Sequence, residues 1–245
     1  MRLVRTSTDL CKRVLAIDTA TRYASLALLD ETGVISEQTW RSENNHSVEL
    51  MPALARMLSQ QKLKPQSLTG VAVATGPGSF TGLRIGMSVA KGLCLALGVP
   101  IVGIPTLDII TYAVGDPGGR VLAVLEAGRG RICVGAYHFE EGLPVQEGET
   151  KLVSISAWTV KADKPVLVAG EVSAELAQRL FEQANAHNIA VASLAGSLRR
   201  AGYLAELAWE RLCQGKTDDL DTLAPVYAPS RARLDGAPRS TPGQS

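Results

Sequence analysis

The sequence predicts an α/β protein of two lobes, each built on a small sheet with helices. Residues 70–106 read as a buried strand, a glycine-rich turn, a helix and a second apolar strand, which is the unit that forms a parallel pair. Three strands come in succession in each half before helices alternate with strands. Turn formers concentrate at residues 115–119, between the halves. We therefore expect lobes at residues 14–114 and 120–230.

The composition is that of a globular chain without a strong charge preference. Of the 245 residues 46% are apolar, and 25 basic side chains against 24 acidic ones leave a formal net charge of +1. This charge balance does not predict that the chain binds nucleic acid by itself, because duplex binding usually depends on several Lys or Arg side chains that neutralise phosphates.

The cysteines and the ends of the chain predict a cytoplasmic location. Cys11, Cys94, Cys133 and Cys213 are scattered without a C-x-x-C pair, which is typical of reduced thiols. Residues 1–13 lack the apolar core of a secretory signal, and we expect no membrane span, because no apolar run approaches the roughly 18 to 20 residues that are needed to cross a bilayer. We expect residues 1–13 to be a disordered extension and residues 235–245 a disordered tail.

The first lobe begins with three strands at residues 14–19, 23–29 and 33–40, whose short turns predict an antiparallel meander. A helix over residues 44–61 follows, and Pro52 must lie in its first turn or kink it. Its apolar stripe is formed by four side chains, Leu50, Leu54, Met57 and Leu58.

The helix after the glycine-rich turn has two distinct faces. Apolar residues recur three and four apart along one side, and Gly98 and Pro100 end the helix. Gly82, Gly86 and Ala90 fall four apart on the neighbouring face. Because glycine inside a helix costs about 1 kcal/mol relative to alanine, we expect close approach of another backbone, either the chain's own sheet or a partner's helix.

The second half predicts mixed strands and helices in a similar order. The expected strands are 121–125, 132–139, 143–153, 166–169, 189–191 and a closing strand at 225–227. The expected helices are 107–114, a short one near Ala157, 174–184 and 197–213.

Two features are candidates for binding a phosphate or a metal. Asp18 and Thr19 end the first strand, where they either reach a ligand or only satisfy N–H groups of the turn. Gly76, Gly78 and Ser79 precede a helix N-terminus, so this turn either holds an anion or merely directs the helix. His46, His138 and His187 have no evident metal-ligand spacing and are interpreted as structural.

Five motifs together resemble the TsaB family, also called the YeaZ or glycoprotease-like family. They are VLAIDT at 14–19, HSxELMP at 46–52, GPGSFTGLRIG at 76–86, AKG at 90–92 and PVY at 225–227. The resemblance covers about residues 14–227. It implies two ribonuclease-H-like lobes of the actin-like/Hsp70-like ATPase superfamily. At 126–133 this sequence reads EAGRGRIC where the family usually has DARRGEVY.

The resemblance also implies a non-catalytic role beside a related enzyme, TsaD. In TsaD a His-x-x-x-His pair binds metal, and the corresponding residues here are Thr106 and Ile110, neither of which replaces imidazole. The implied function is support for TsaD, with TsaE, in adding threonylcarbamoyl to N6 of adenosine 37 in tRNAs that read ANN codons. ATP and a metal would then act in the partners, and tRNA would be met only through the complex.

The partner surface implied by this role is the pair of helices in the first lobe. The expected contact residues, which would also support a homodimer when TsaD is absent, are Leu50, Leu54, Met57, Leu58, Gly82, Gly86, Met87 and Ala90. Two alternatives from another class remain. One is a weak ATPase that uses Asp18, Thr19 and the glycine-rich turn, and the other is a glycoprotease-like metallopeptidase.

Overall fold

The computed structural model describes residues 12–43 and 45–228 as two five-stranded mixed sheets with helices. The predicted extension at 1–13 and tail at 235–245 therefore lie almost entirely, or entirely, outside the described residues. The strands are β1 Arg13–Asp18, β2 Tyr23–Asp30, β3 Gly33–Arg41, β4 Gly70–Gly76, β5 Ile101–Pro105, β6 Arg120–Glu126, β7 Arg131–Glu140, β8 Leu143–Ser154, β9 Val166–Gly170 and β10 Ile189–Val191. The helices are α1 His46–Gln60, α2 Phe80–Leu97, α3 Thr106–Val114, α4 Ala174–Phe181 and α5 Ala201–Cys213.

The first sheet has the order β3-β2-β1-β4-β5 and confirms the predicted pairing. β1, β2 and β3 form an antiparallel meander, and β1, β4 and β5 are parallel. Alternate residues of β1 enter different cores, because successive side chains of a strand point to opposite faces. Leu15 and Ile17 pack with α1 and α2, whereas Val14 and Ala16 pack with α5.

The helix α2 packs its small residues against the chain's own sheet. A Cβ added at Gly82 would overlap the carbonyl oxygen of Thr19, and one at Gly86 would overlap the Thr19 hydroxyl. This close approach offsets the helical cost of both glycines. Of the two alternatives that the sequence left open, the backbone that approaches Gly82 is therefore the chain's own sheet rather than a partner's helix. Gly98 takes the left-handed conformation at the end of α2, as expected.

The same helix corrects the expectation that no segment is apolar and long enough to cross a membrane. α2 has 18 residues with a mean hydropathy of 1.3, which meets the criterion by length and composition alone. One such helix is weak evidence, because core helices pass the same test, and α2 packs against β4 and β1.

The last helix departs from the predicted division of the chain. The second sheet has the order β10-β9-β6-β7-β8 and ends at Val191, but α5 returns to the first sheet. Ala201, Leu204 and Ala208 of α5 join the core beneath β1 and β2. The predicted second lobe, residues 120–230, therefore should not include α5, because the apolar face of α5 is buried against the first sheet.

Three local predictions are also corrected. α1 begins at His46, so Pro52 lies beyond its first turn. The segment near Ala157 is a turn rather than a helix. Residues 225–227 form no strand, and what holds them to the sheet is a hydrogen bond from the Val226 N–H to the Thr75 carbonyl, 2.7 Å long.

Candidate ligand site between the lobes

A cleft of about 800 Å³ separates the two sheets at the end of β1. It is bounded by the turn between β1 and β2, the N-terminus of α2, and the turn between β6 and β7. Its lining includes Thr21, Arg22, Arg41, Ser42, His46, Gly78, Ser79, Phe80, Gly82, Glu126, Gly128 and Glu171. In an actin-like fold, as the sequence resemblance implies, this is where a nucleotide and its metal would have to fit.

Asp18, the leading candidate of the sequence, is paired inside the chain. Its side chain is 1% exposed and forms an ion pair with Arg199, which is also buried. The Arg199 Nε donates to Asp18 Oδ2, and Nη2 donates to Oδ1 at 3.3 Å. Asp18 Oδ1 also accepts the Ala20 N–H at 2.9 Å, so the predicted turn contact is present as well. The negative charge of the Asp18 carboxylate is thus already balanced by the Arg199 guanidinium.

The neighbours of Asp18 extend the same network. Arg199 Nη2 donates to the Thr21 hydroxyl at 3.1 Å, and Nε2 of His46 lies 2.8 Å from the Thr21 carbonyl oxygen, to which it must donate. His46 is therefore a buried hydrogen-bond donor at the start of α1. Thr19 instead donates its hydroxyl to the Gly82 carbonyl at 2.7 Å, which ties β1 to α2.

The glycine-rich turn is filled by backbone from elsewhere in the chain. A Cβ added at Gly76 would overlap the Val226 carbonyl oxygen, and one at Gly78 would overlap that of Ala20. The Ser79 N–H donates to the Ala20 carbonyl at 2.6 Å, and the Ser79 hydroxyl caps α2 by accepting the Gly82 N–H at 3.2 Å. The arrangement is that of a tight turn that directs the helix.

The opposite wall of the cleft is more open. The Arg22 guanidinium reaches across the cleft to Glu126 at 2.9 Å, with both side chains partly exposed, and the Glu126 N–H donates to Glu171. Arg129 has a φ of 54° between two glycines, which makes the turn sharp. This is the segment where the sequence departs from the family pattern.

The residues present do not fit a metal-bound nucleotide. The Asp18 carboxylate is occupied by Arg199, and the turn from Gly76 to Ser79 is packed by carbonyl oxygens, which repel phosphate. Within residues 12–43 and 45–228, no group of three His, Cys, Asp or Glu side chains could hold a metal ion. Thr106 and Ile110 are buried at the start and middle of α3.

The remaining histidines lie away from the cleft. His138 has two acidic neighbours on the second sheet: its Nε2 lies 2.8 Å from Glu140 and its Nδ1 3.3 Å from Glu147. The hydrogen bond to Glu140 is the main cause that raises the pKa of His138. His187 is exposed and lies in a short 3-10 helix, Ala186–Asn188.

The predicted partner surface needs correction at the level of side chains. All eight predicted residues are buried within the chain itself: Leu50, Leu54, Met57, Leu58, Gly82, Gly86, Met87 and Ala90. They cover the first sheet, because the apolar stripes of α1 and α2 face the chain's own core. A partner that meets these helices would contact their outer faces.

Arg199 is the residue of this site that the sequence reasoning missed. It is 181 positions from Asp18, and the sequence placed it inside the expected helix at 197–213, whereas α5 begins only at Ala201. The only available signal was indirect: a carboxylate at the end of a buried strand needs a cation, and Arg199-Arg200 precedes an apolar helix.

Comparison with known proteins agrees with this architecture. The model of a family described as "TsaD: tRNA N6-adenosine threonylcarbamoyltransferase" matches residues 30–232. The solved structure of YeaZ from Pseudomonas aeruginosa superposes with a TM-score of 0.75 at 24% identity, and the match covers 88% of this chain and 99% of that one. This likeness establishes the fold.

Curated relatives establish the family. A "tRNA threonylcarbamoyladenosine biosynthesis protein TsaB" from Bacillus subtilis is 36% identical over 160 residues, which are 64% of this chain and 70% of the relative. The protein of the same name from Escherichia coli is 33% identical over 131 residues, 53% of this chain and 56% of the relative. Together with the family model and the fold, these matches show that the chain belongs to the TsaB family.

Proposed function

We propose that this chain acts in the biosynthesis of threonylcarbamoyladenosine in tRNA, as a non-catalytic subunit that binds and activates TsaD. The names of the Bacillus subtilis and Escherichia coli relatives support the pathway. TsaD, with TsaE and ATP, then transfers the threonylcarbamoyl group to adenosine 37 of tRNAs that read ANN codons. This chain contributes by binding one conformation of TsaD preferentially, which shifts the population toward that state.

The observation that carries the non-catalytic role is the pairing of Asp18 with Arg199. A weak ATPase would need this carboxylate free for a metal or phosphate, and its oxygens already accept hydrogen bonds within the chain. A metallopeptidase would need a ligand set that Thr106 and Ile110 do not supply. Calorimetry of the isolated chain with Mg-ATP tests this, and micromolar binding with turnover would contradict it.

The partner surface that we propose is the outer face of α1 and α2. On α1 it includes Val48, which is 67% exposed, and Met51, which is 46% exposed. On α2 it includes a row of small exposed residues four apart, Ser88, Gly92 and Ala96. A Cβ at Gly92 meets no described heavy atom within 4 Å, so this row allows the backbone of a partner helix to approach closely. A homodimer on the same face would compete with TsaD.

Met51→Glu tests this surface, because it puts a charge on an exposed apolar side chain without touching the core. We expect co-purification with TsaD to be lost, and the yield of modified nucleoside in a reaction with TsaD, TsaE and tRNA to fall to that without this chain. Leu194→Glu is the matched control, since Leu194 is 89% exposed and lies between β10 and α5, outside the proposed surface. If the Met51→Glu variant still co-purified with TsaD, the interface would lie on a different surface.

A further inference from the structure

The end of β1 combines a buried carboxylate with a buried cation from a distant part of the chain. Both side chains of the Asp18–Arg199 pair are at most 4% exposed. An unpaired charge at such a position is strongly unfavourable. The guanidinium meets both carboxylate oxygens, and the planar fork of arginine suits this two-point contact.

The position of Arg199 in the chain gives the pair a role beyond local neutralisation. It lies in residues 192–200, which connect β10 of the second sheet to α5 on the first sheet. Two residues later, Ala201 donates its N–H to the Ser25 hydroxyl on β2 at 2.8 Å. Through Thr21, the guanidinium also contacts the turn whose carbonyl holds His46 of α1. One side chain therefore ties the chain segment that crosses between the sheets to the end of β1.

We propose that Arg199 takes, within the chain, the place of the bound cation that a carboxylate serves at this position of an actin-like fold. The segment that connects β10 to α5 is then held at the end of β1 without nucleotide or metal. Unlike a metal ion from solution, the guanidinium is covalently part of the chain. Arg199 is thus a positioning residue for the end of β1.

Arg199→Ala tests this proposal by leaving Asp18 with room for a hydrated cation. We expect the Tm of the variant to fall by about 10 °C, because a buried charge loses its partner. Millimolar Mg²⁺ should restore at least half of that loss while leaving the Tm of the unmodified chain unchanged. Arg199→Lys, which keeps a positive charge, should lie between the two and respond weakly to Mg²⁺.

Two controls separate replacement of a cation from ordinary stabilisation. Arg200→Ala removes a neighbouring arginine whose side chain is 47% exposed, and its Tm should change by no more than about 2 °C. The double variant Asp18→Asn with Arg199→Ala has no carboxylate, so Mg²⁺ should not raise its Tm. If Arg199→Ala aggregates, the refolding yield with and without Mg²⁺ replaces the Tm and is interpreted identically. A Tm equal to that of the unmodified chain, or no specific response to Mg²⁺, would overturn the proposal.

Discussion

Two hairpin turns face each other across the cleft, and they differ in how completely they are closed. The turn after β1 begins with Asp18, which is buried and paired. The turn after β6 begins with Glu126, whose side chain is 37% exposed and paired with the partly exposed Arg22. Cβ atoms at Gly128 and Gly130 would meet no heavy atom of the described chain within 4 Å.

The difference comes from later parts of the chain rather than from the turns themselves. Arg199 and α5 return to the first sheet, and Val226 packs its carbonyl oxygen against Gly76. These segments fill the space beside the first turn with charge and backbone. The second turn also receives later segments, since the Glu126 N–H donates to Glu171 and the Ile155 N–H donates to the Gly130 carbonyl at 2.9 Å, but its ion pair with Arg22 is partly exposed. Equivalent hairpins thus acquire different chemistry through contacts that are remote in sequence.

The largest expected effect is a difference in the free energy of unfolding when the carboxylates of Asp18 and Glu126 are each replaced by an amide. Asp18→Asn leaves Arg199 buried without its counter-ion, so we expect the free energy of unfolding to fall by about 3–5 kcal/mol. Glu126→Gln removes a partly exposed ion pair and should cost less than about 1 kcal/mol, with a cost that shrinks at high salt. Urea denaturation of both variants at low and high salt measures this. Equal losses would mean that the two turns are closed to the same degree.

A third carboxylate sharpens the comparison because its partner is a hydroxyl group rather than a cation. Asp108 on α3 accepts a 2.8 Å hydrogen bond from Tyr137 on β7. Burial raises the pKa of Asp108 from 3.8 to about 6, against the smaller opposing effect of that hydrogen bond. The folded chain therefore binds this proton more tightly than the unfolded chain does.

The sign of the pH dependence follows from that raised pKa. The stabilisation from protonated Asp108 is fully present below about pH 4 and is lost as the pH rises through about 6. Between pH 4 and 7, the unmodified chain should lose about 2–3 kcal/mol of unfolding free energy relative to Asp108→Asn. Denaturation at several pH values measures this, with the exposed Asp116→Asn as control. Parallel curves for the unmodified chain and Asp108→Asn would contradict it.

The sequence predicts most of the sheets because their signals are local. Strands are indicated by apolar runs such as those in β1, β4 and β6, and the end of α2 is indicated by its glycine. Helical periodicity also identified the small-residue face of α2, but it did not tell whether Gly82 and Gly86 meet the chain's own sheet or a partner. That depends on the position of Thr19, which only the folded chain brings near.

The candidate site was predicted less well because it depends on pairs distant in sequence. Asp18 and the turn at Gly76 were identified from their positions after buried strands, whereas Arg199 was expected inside a helix and Val226 inside a strand, and neither lies in one. The closing strand at 225–227 was expected from its apolar residues, but the segment makes a single-residue contact with Thr75 rather than a ladder. Tertiary contacts here override local propensity.

The smallest expected effect comes from adding side chains to the glycines of the two turns. Gly78→Ala should cost about 1–3 kcal/mol, because its Cβ overlaps the Ala20 carbonyl, which also accepts the Ser79 N–H. Gly128→Ala should cost about 1 kcal/mol, and only because Gly128 has a φ of 67°. Asparagine separates the two causes, since it tolerates this conformation but needs space. Gly128→Asn should therefore lie within about 0.5 kcal/mol of the unmodified chain in urea denaturation, while Gly78→Asn should be at least as unstable as Gly78→Ala. If both asparagine variants were tolerated, the first turn would have room for a ligand after all.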